Sequence, residues 1–188
     1  MRVFGSLGEV LTHIGDRRVM VFGGFSGMGY AEPDRLDEDL RRLLLLETRL
    51  GAVVVSGATS DGIGRVYPIA KELGIPTYGI VSDDVAPAAI DPCCDHVLRV
   101  QDPQKTRQTL DVHGHSEMVN VAEANGVLYY FGGGDVAVSE VREAQERGIP
   151  VVMDLTYEPD PAKLAAKQAK TPSTDPTPLR TYARCGAD

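Results

Sequence analysis

"ANGVLYYFGGGDVAVSEVREAQERGIPVV", residues 124–152, joins an apolar run to three consecutive glycines, an acid, a stretch of helical spacing and a second apolar run. The run from Gly126 to Phe131 has the composition of a strand buried on both faces. Val136 to Arg147 carries helix periodicity, and Ile149 to Met153 reads as the next strand. Strand, turn, helix and strand in succession describe a crossover unit, and such a unit pairs its strands in parallel. Gly132, Gly133 and Gly134 leave the backbone bare at the end of the first strand. A phosphate can approach main-chain N–H groups there, at a helix N-terminus whose peptide dipoles favour an anion. A tight turn with nothing bound is the plainer alternative.

The same alternation runs outward through the chain. Val19 to Phe22, Ala52 to Val55, Pro76 to Val81 and His96 to Val100 are further apolar runs, mostly bounded by Gly, Pro or Asp. Between them, Leu36 to Leu50, Ile63 to Leu73 and Thr106 to Ala124 have helical spacing. No hairpin signal of the Asn-Gly kind interrupts the pattern. The expectation is an α/β fold of Rossmann-like type, a doubly wound parallel sheet with helices on both faces. Such sheets bind ligands outside the carboxyl ends of their strands, where strand order reverses.

Two more glycine-rich turns stand at expected strand ends, "FGGFSGMGY" at 22–30 and "SGATSDGIG" at 56–64. If the three strands are neighbours, an anion site lies across Gly23, Gly57 and Gly133, with Gly24, Ser26, Thr59, Gly132, Gly134 and Asp135 around it. Neither turn is a Walker motif, because Tyr30 and Arg65 stand where its Lys belongs. Ser56, Thr59, Ser60 and Asp61 suit hydrogen bonds to ribose or phosphate oxygens, and equally suit helix capping by Asp61.

The chain has 188 residues, enough for one substantial core. Residues 1–158 read as the nucleotide-binding domain. Residues 159–188 hold Pro159, Pro161, Pro172, Pro176 and Pro178 and few large apolar groups, which predicts one short helix, Pro161 to Lys170, and then an extended tail. A formal net charge of −8 gives no basic footprint for nucleic acid. No segment approaches the length of a membrane span. Cys93, Cys94 and Cys185 form no spaced metal or disulfide framework, so the setting reads as reducing and cytoplasmic, with no cofactor and no metal expected.

Glu140 falls just past the first turn of the expected helix, where a carboxylate points back toward the glycine turn. It suits a nucleophile, a base or a stabiliser of positive charge on a sugar; a solvated helix-face Glu, like Glu143 and Glu146, is the alternative. "DVHGHSEM", residues 111–118, places His113 and Glu117 one helical turn apart, with His115 between them. With no third ligand nearby, a polar pocket wall fits this stretch better than a metal centre. His96 reads as a satisfied core histidine. Cys93 and Cys94 have no His placed to activate a thiolate.

"VMVFGGFSG", "VVVSGATSDGIG" and the opening stretch together resemble the SMF/DprA–"Lonely Guy" superfamily of Rossmann-like nucleotide-binding proteins, over roughly residues 17 to 154. That superfamily includes lysine-decarboxylase-like phosphoribohydrolases and molybdenum-cofactor carrier proteins. The resemblance implies cleavage of the base from a nucleoside 5′-monophosphate, with Glu140 as the signature acid of Pro-Gly-Gly-x-Gly-Thr-x-x-Glu and His115 and Glu117 beside it. Here the Pro, the later Gly and the Thr of the signature are absent, and Val136 stands where the later Gly belongs. The Arg of a Met-His-x-Arg-Lys stretch is also absent. Its matching region reads His115, Ser116, Glu117, Met118, with Arg107 as a substitute cation. Asn125, Asp135, Glu140 and "RGIPVV" also follow the order of the nucleoside 2-deoxyribosyltransferases. Two functions stay open: an N-glycosidic hydrolase, or a carrier that holds a nucleotide or phosphorylated pterin-like cofactor without turnover. Family members commonly form homo-oligomers, and "RRLLLLETRL" (41–50) is a candidate interface.

Overall fold

In the computed structural model, residues 1–48, 51–104, 106 and 108–185 are described, so Arg107 and the end of the Leu36–Leu50 helix lie outside the described residues. Seven strands form one sheet: β1 (Arg2–Phe4), β2 (Val19–Gly24), β3 (Val53–Ser56), β4 (Thr77–Ser82), β5 (His96–Val100), β6 (Gly126–Phe131) and β7 (Val151–Asp154). Their order is β1-β5-β4-β3-β2-β6-β7, and every pairing is parallel. The α/β doubly wound expectation holds. Helices α1 (Leu7–Ile14), α2 (Pro33–Thr48), α3 (Val66–Glu72), α4 (Glu117–Asn120), α5 (Asp135–Glu146), α6 (Pro161–Lys170) and α7 (Pro178–Cys185) complete the chain.

Period-two alternation in the strands feeds two separate cores. Met20, Phe22, Val54, Val127, Tyr129 and Phe131 pack on one face with Leu36, Leu40 and Leu44 of α2. Val19, Val21, Val53, Val55, Leu128 and Tyr130 pack on the other with Val141 and Ala144 of α5. Burial on both faces fails at β7, an edge strand whose Val152 is exposed.

Two sequence expectations need correction, and one strand lies outside them. The helix expected over Thr106–Ala124 shrinks to the four residues of α4, because Asp111 organises a loop instead: its Oδ1 accepts the N–H groups of His113 (2.8 Å) and His115 (2.9 Å). A Leu110–Ser116 bridge closes this loop, and the Ser116 Oγ accepts Met118 N–H at 3.2 Å to cap α4. His113 and Glu117 therefore share no helical face. The N-terminus contributes β1, an edge strand on β5 too short to leave an apolar signature. Finally, Pro178–Cys185 is helical and returns to α5, with Leu179 fully buried, where an extended tail is expected.

Candidate functional site

Strand β2 lies between β3 and β6, so the three glycine turns stand side by side on the carboxyl edge, where strand order reverses. What each glycine does there differs. A β-carbon at Gly23 would lie 2.2 Å from Tyr130 Cε1, and one at Gly24 would lie 2.1 Å from the Tyr30 hydroxyl. The Tyr30 hydroxyl donates to the Phe131 carbonyl (2.8 Å), tying the first turn to the third. Gly132, at φ +72°, accommodates the Phe25 ring, whose Cζ is 2.4 Å from where a β-carbon would be. These three glycines serve close packing within the chain. At Gly57 a β-carbon would meet open space.

The second turn is braced by hydroxyls. Ser56 Oγ donates to the Phe22 carbonyl (2.9 Å), and Thr59 Oγ1 donates to the Asp61 carbonyl (3.1 Å). Asp61 Oδ1 accepts Gly62 N–H at 2.8 Å, which is the capping role expected for it. Two lysines from α6 reach this side of the edge. Lys163 Nζ pairs with Asp61 Oδ1 (2.9 Å), and Lys167 Nζ donates to the Ser26 carbonyl (2.7 Å). Burial pushes the Asp61 carboxyl up, but the bonds from Lys163 and Gly62 outweigh it and hold it below the usual range.

The third turn leads into α5, whose N-cap Gly134 has no side chain to cap the helix and whose first residue, Asp135, is exposed. Glu140 turns inward. Tyr130 Oη donates to its Oε2 at 2.6 Å, and Ser116 Oγ donates to its Oε1 at 3.0 Å. Burial raises the Glu140 pKa, nearby Glu143 adds to the effect, and the two hydroxyl bonds oppose it. A cavity of about 180 Å³ opens beside it, lined by Thr109, Ser116, Val136, Ser139, Glu140 and Glu143 among others.

Around Ser116 the site becomes a network. Its N–H donates to Glu143 Oε2 (3.0 Å), and Glu143 Oε1 accepts from Arg147 (2.8 Å), which also donates to Asn120 Oδ1 (2.7 Å). Glu117 receives Asn120 Nδ2 at 2.9 Å, and burial raises its pKa. The His115 ring lies on an exposed loop, with Nδ1 at 3.7 Å from Asp111 Oδ2. Of the sequence candidates, Glu140 thus lines the cavity, Glu117 joins it through Asn120, Arg147 and Glu143, and His115 faces Asp111. Sequence reasoning missed Ser116, Tyr130 and Arg147; the Glu143–Arg147 pair at i, i+4 was the one local signal available. His96 departs from expectation as well, since its Nδ1 is buried without a hydrogen-bond partner among the described residues.

No protein-family model matches the sequence, and no curated protein matches it. Solved structures do match in fold. The molybdenum cofactor carrier protein of Chlamydomonas reinhardtii superposes with a TM-score of 0.54 at 15% identity, over 89% of this chain and 96% of that one. The molybdenum cofactor binding protein of the phototrophic bacterium Rippkaea orientalis gives 0.54 at 16% identity, over 93% and 99%. TM1055, a structural-genomics target, gives 0.51 at 24% identity, over 72% of each chain. At these identities the likeness establishes the Rossmann-like fold.

Proposed function

We propose that the protein binds an anionic, phosphorylated small molecule, a nucleotide or a phosphorylated cofactor, on the carboxyl edge of β2, β3 and β6 and holds it without turnover. The state of Glu140 carries this reading. Both of its oxygens are engaged, Oε2 by Tyr130 and Oε1 by Ser116. A glycosidic hydrolase needs a carboxylate free to meet positive charge developing on the sugar, whereas here hydroxyls of the chain itself hold both oxygens. Adjacency of the three turns supports anion binding, as do Lys163 and Lys167, which bring positive charge to an edge that lacks the signature Arg. Two structural neighbours are described as a carrier and a binder of the molybdenum cofactor, so carriage is a use to which this fold is put.

One observation favours the hydrolase reading: Glu140 lines a cavity together with Ser116 and Ser139. Nucleoside monophosphates incubated with the protein and resolved by chromatography separate the two. No free base is the expected outcome, alongside a phosphorylated small molecule detected by mass spectrometry after denaturation of freshly purified protein. Base release by the native protein that falls at least about a hundredfold in Glu140→Gln establishes the hydrolase instead.

A further inference from the structure

We infer that residues 171–185 form a strap that covers the N-terminus of α5 and must lift before an anion can reach the Gly132–Gly134 turn. The inference rests on the anionic-ligand reading above. The first N–H groups of any helix lack partners within it, and Gly134 supplies no side-chain cap. What lies over this end is the chain's own C-terminal segment. Leu179 N–H donates to the Gly133 carbonyl at 3.3 Å, and the Leu179 side chain, fully buried, has Cδ2 at 3.8 Å from where a β-carbon on Gly133 would be. The Asp175 carbonyl oxygen stands 3.1 Å from the corresponding point on Gly134. An anion and the strap therefore compete for one place.

The attachments of the strap suit a cover that opens. Beyond Leu179, α7 is held by Tyr182 Oη to Gln145 (2.8 Å), by stacking of Arg142 on the Tyr182 ring, and by Arg180, which donates to the Leu155 and Tyr157 carbonyls and pairs with Glu158. A groove of about 390 Å³ is lined by Ala183 and Arg184 of the helix and by Leu155 and Thr156. The connection from α6, residues 171–177, is mostly exposed and satisfies itself locally, through Thr174 N–H to the Thr171 carbonyl (3.0 Å) and Asp175 Oδ1 to Thr177. Lys163 and Lys167 anchor α6 separately, so α7 can swing without releasing the first two turns. A mostly exposed, locally bonded connector marks a segment of low local stability.

A closed cover lowers apparent affinity by the fraction of molecules that are open, so loosening it tightens binding. Calorimetric titration of the full chain with inorganic phosphate and with adenosine 5′-monophosphate, compared with Leu179→Ala, reads this directly. The expected result is at least about tenfold tighter binding by the variant, and faster amide exchange across 178–185 in the native protein when the probe is saturating. Arg180→Ala loosens the same helix from a half-buried contact and reads the same quantity if Leu179→Ala does not fold. Equal affinity in native and variant protein, or slower exchange of α7 on binding, overturns the strap while leaving the ligand reading intact. Failure of native and variant protein alike to bind either probe overturns the ligand reading and the strap with it.

Discussion

Glu140 is held by two hydroxyls from distant parts of the chain. Tyr130 and Ser116 lie 10 and 24 residues away, and only the packing of β6 and the Asp111 loop against α5 brings their hydroxyls to it. The consequence is measurable in stability. A carboxyl whose folded pKa is raised above its unfolded value favours folding fully below about pH 4.5, and that contribution is lost as pH rises through the folded value. Glu140→Gln removes this dependence, so its melting temperature relative to the native protein should climb as pH rises from 4.5 to 8. A constant difference across that range would mean that Glu140 is already ionised at low pH in the fold. A gain in stability from removing an acid beside a cavity is the pattern of a site kept for its ligand at the expense of the fold.

At the scale of elements, the strands were readable because central parallel strands are apolar on both sides, and β2, β3, β4 and β6 are largely so. The segment before α4 misled because its apolar residues serve a loop folded around the Asp111 carboxylate, and periodicity does not report side-chain bonds to the backbone. The glycine turns were visible as turns; which glycines serve packing and which leave room for a ligand required the structure. Gly132→Ala forces a left-handed residue against the Phe25 ring, so chemical unfolding should show a loss of about 2–4 kcal/mol. Gly57→Ala meets no atom and should change stability by less than about 0.5 kcal/mol. If the second turn contacts the ligand, the same substitution weakens phosphate binding. Unchanged affinity in Gly57→Ala would remove this turn from the site.

Across the whole molecule, chemistry is divided between the two ends of the sheet. The carboxyl edge carries the glycine turns and Glu140, whereas the opposite end holds a half-buried histidine pair that composition alone could not assemble. His96 at the start of β5 lies with its ring centroid 4.6 Å from that of His13 on α1 and 4.7 Å from that of Tyr78 on β4. Phe4 packs at 5.9 Å. His13 Nδ1 meets the Tyr78 hydroxyl at 2.7 Å, and Arg17 donates to that hydroxyl at 3.2 Å. Burial lowers the His96 pKa first, His13, Arg2 and the N-terminal amine add to the effect, and Asp95 opposes it. With the folded value below the unfolded one, about 6.5, the unfolded chain binds the extra proton, so stability is complete above pH 6.5 and falls as pH drops toward the folded value. His96→Phe removes the titrating ring and keeps an aromatic plane for Tyr78 and Phe4 to pack on. Melting curves from pH 8 to pH 5 should therefore converge or cross, with the variant losing less than the native protein on acidification. Parallel curves would show that the acid limb belongs to other groups.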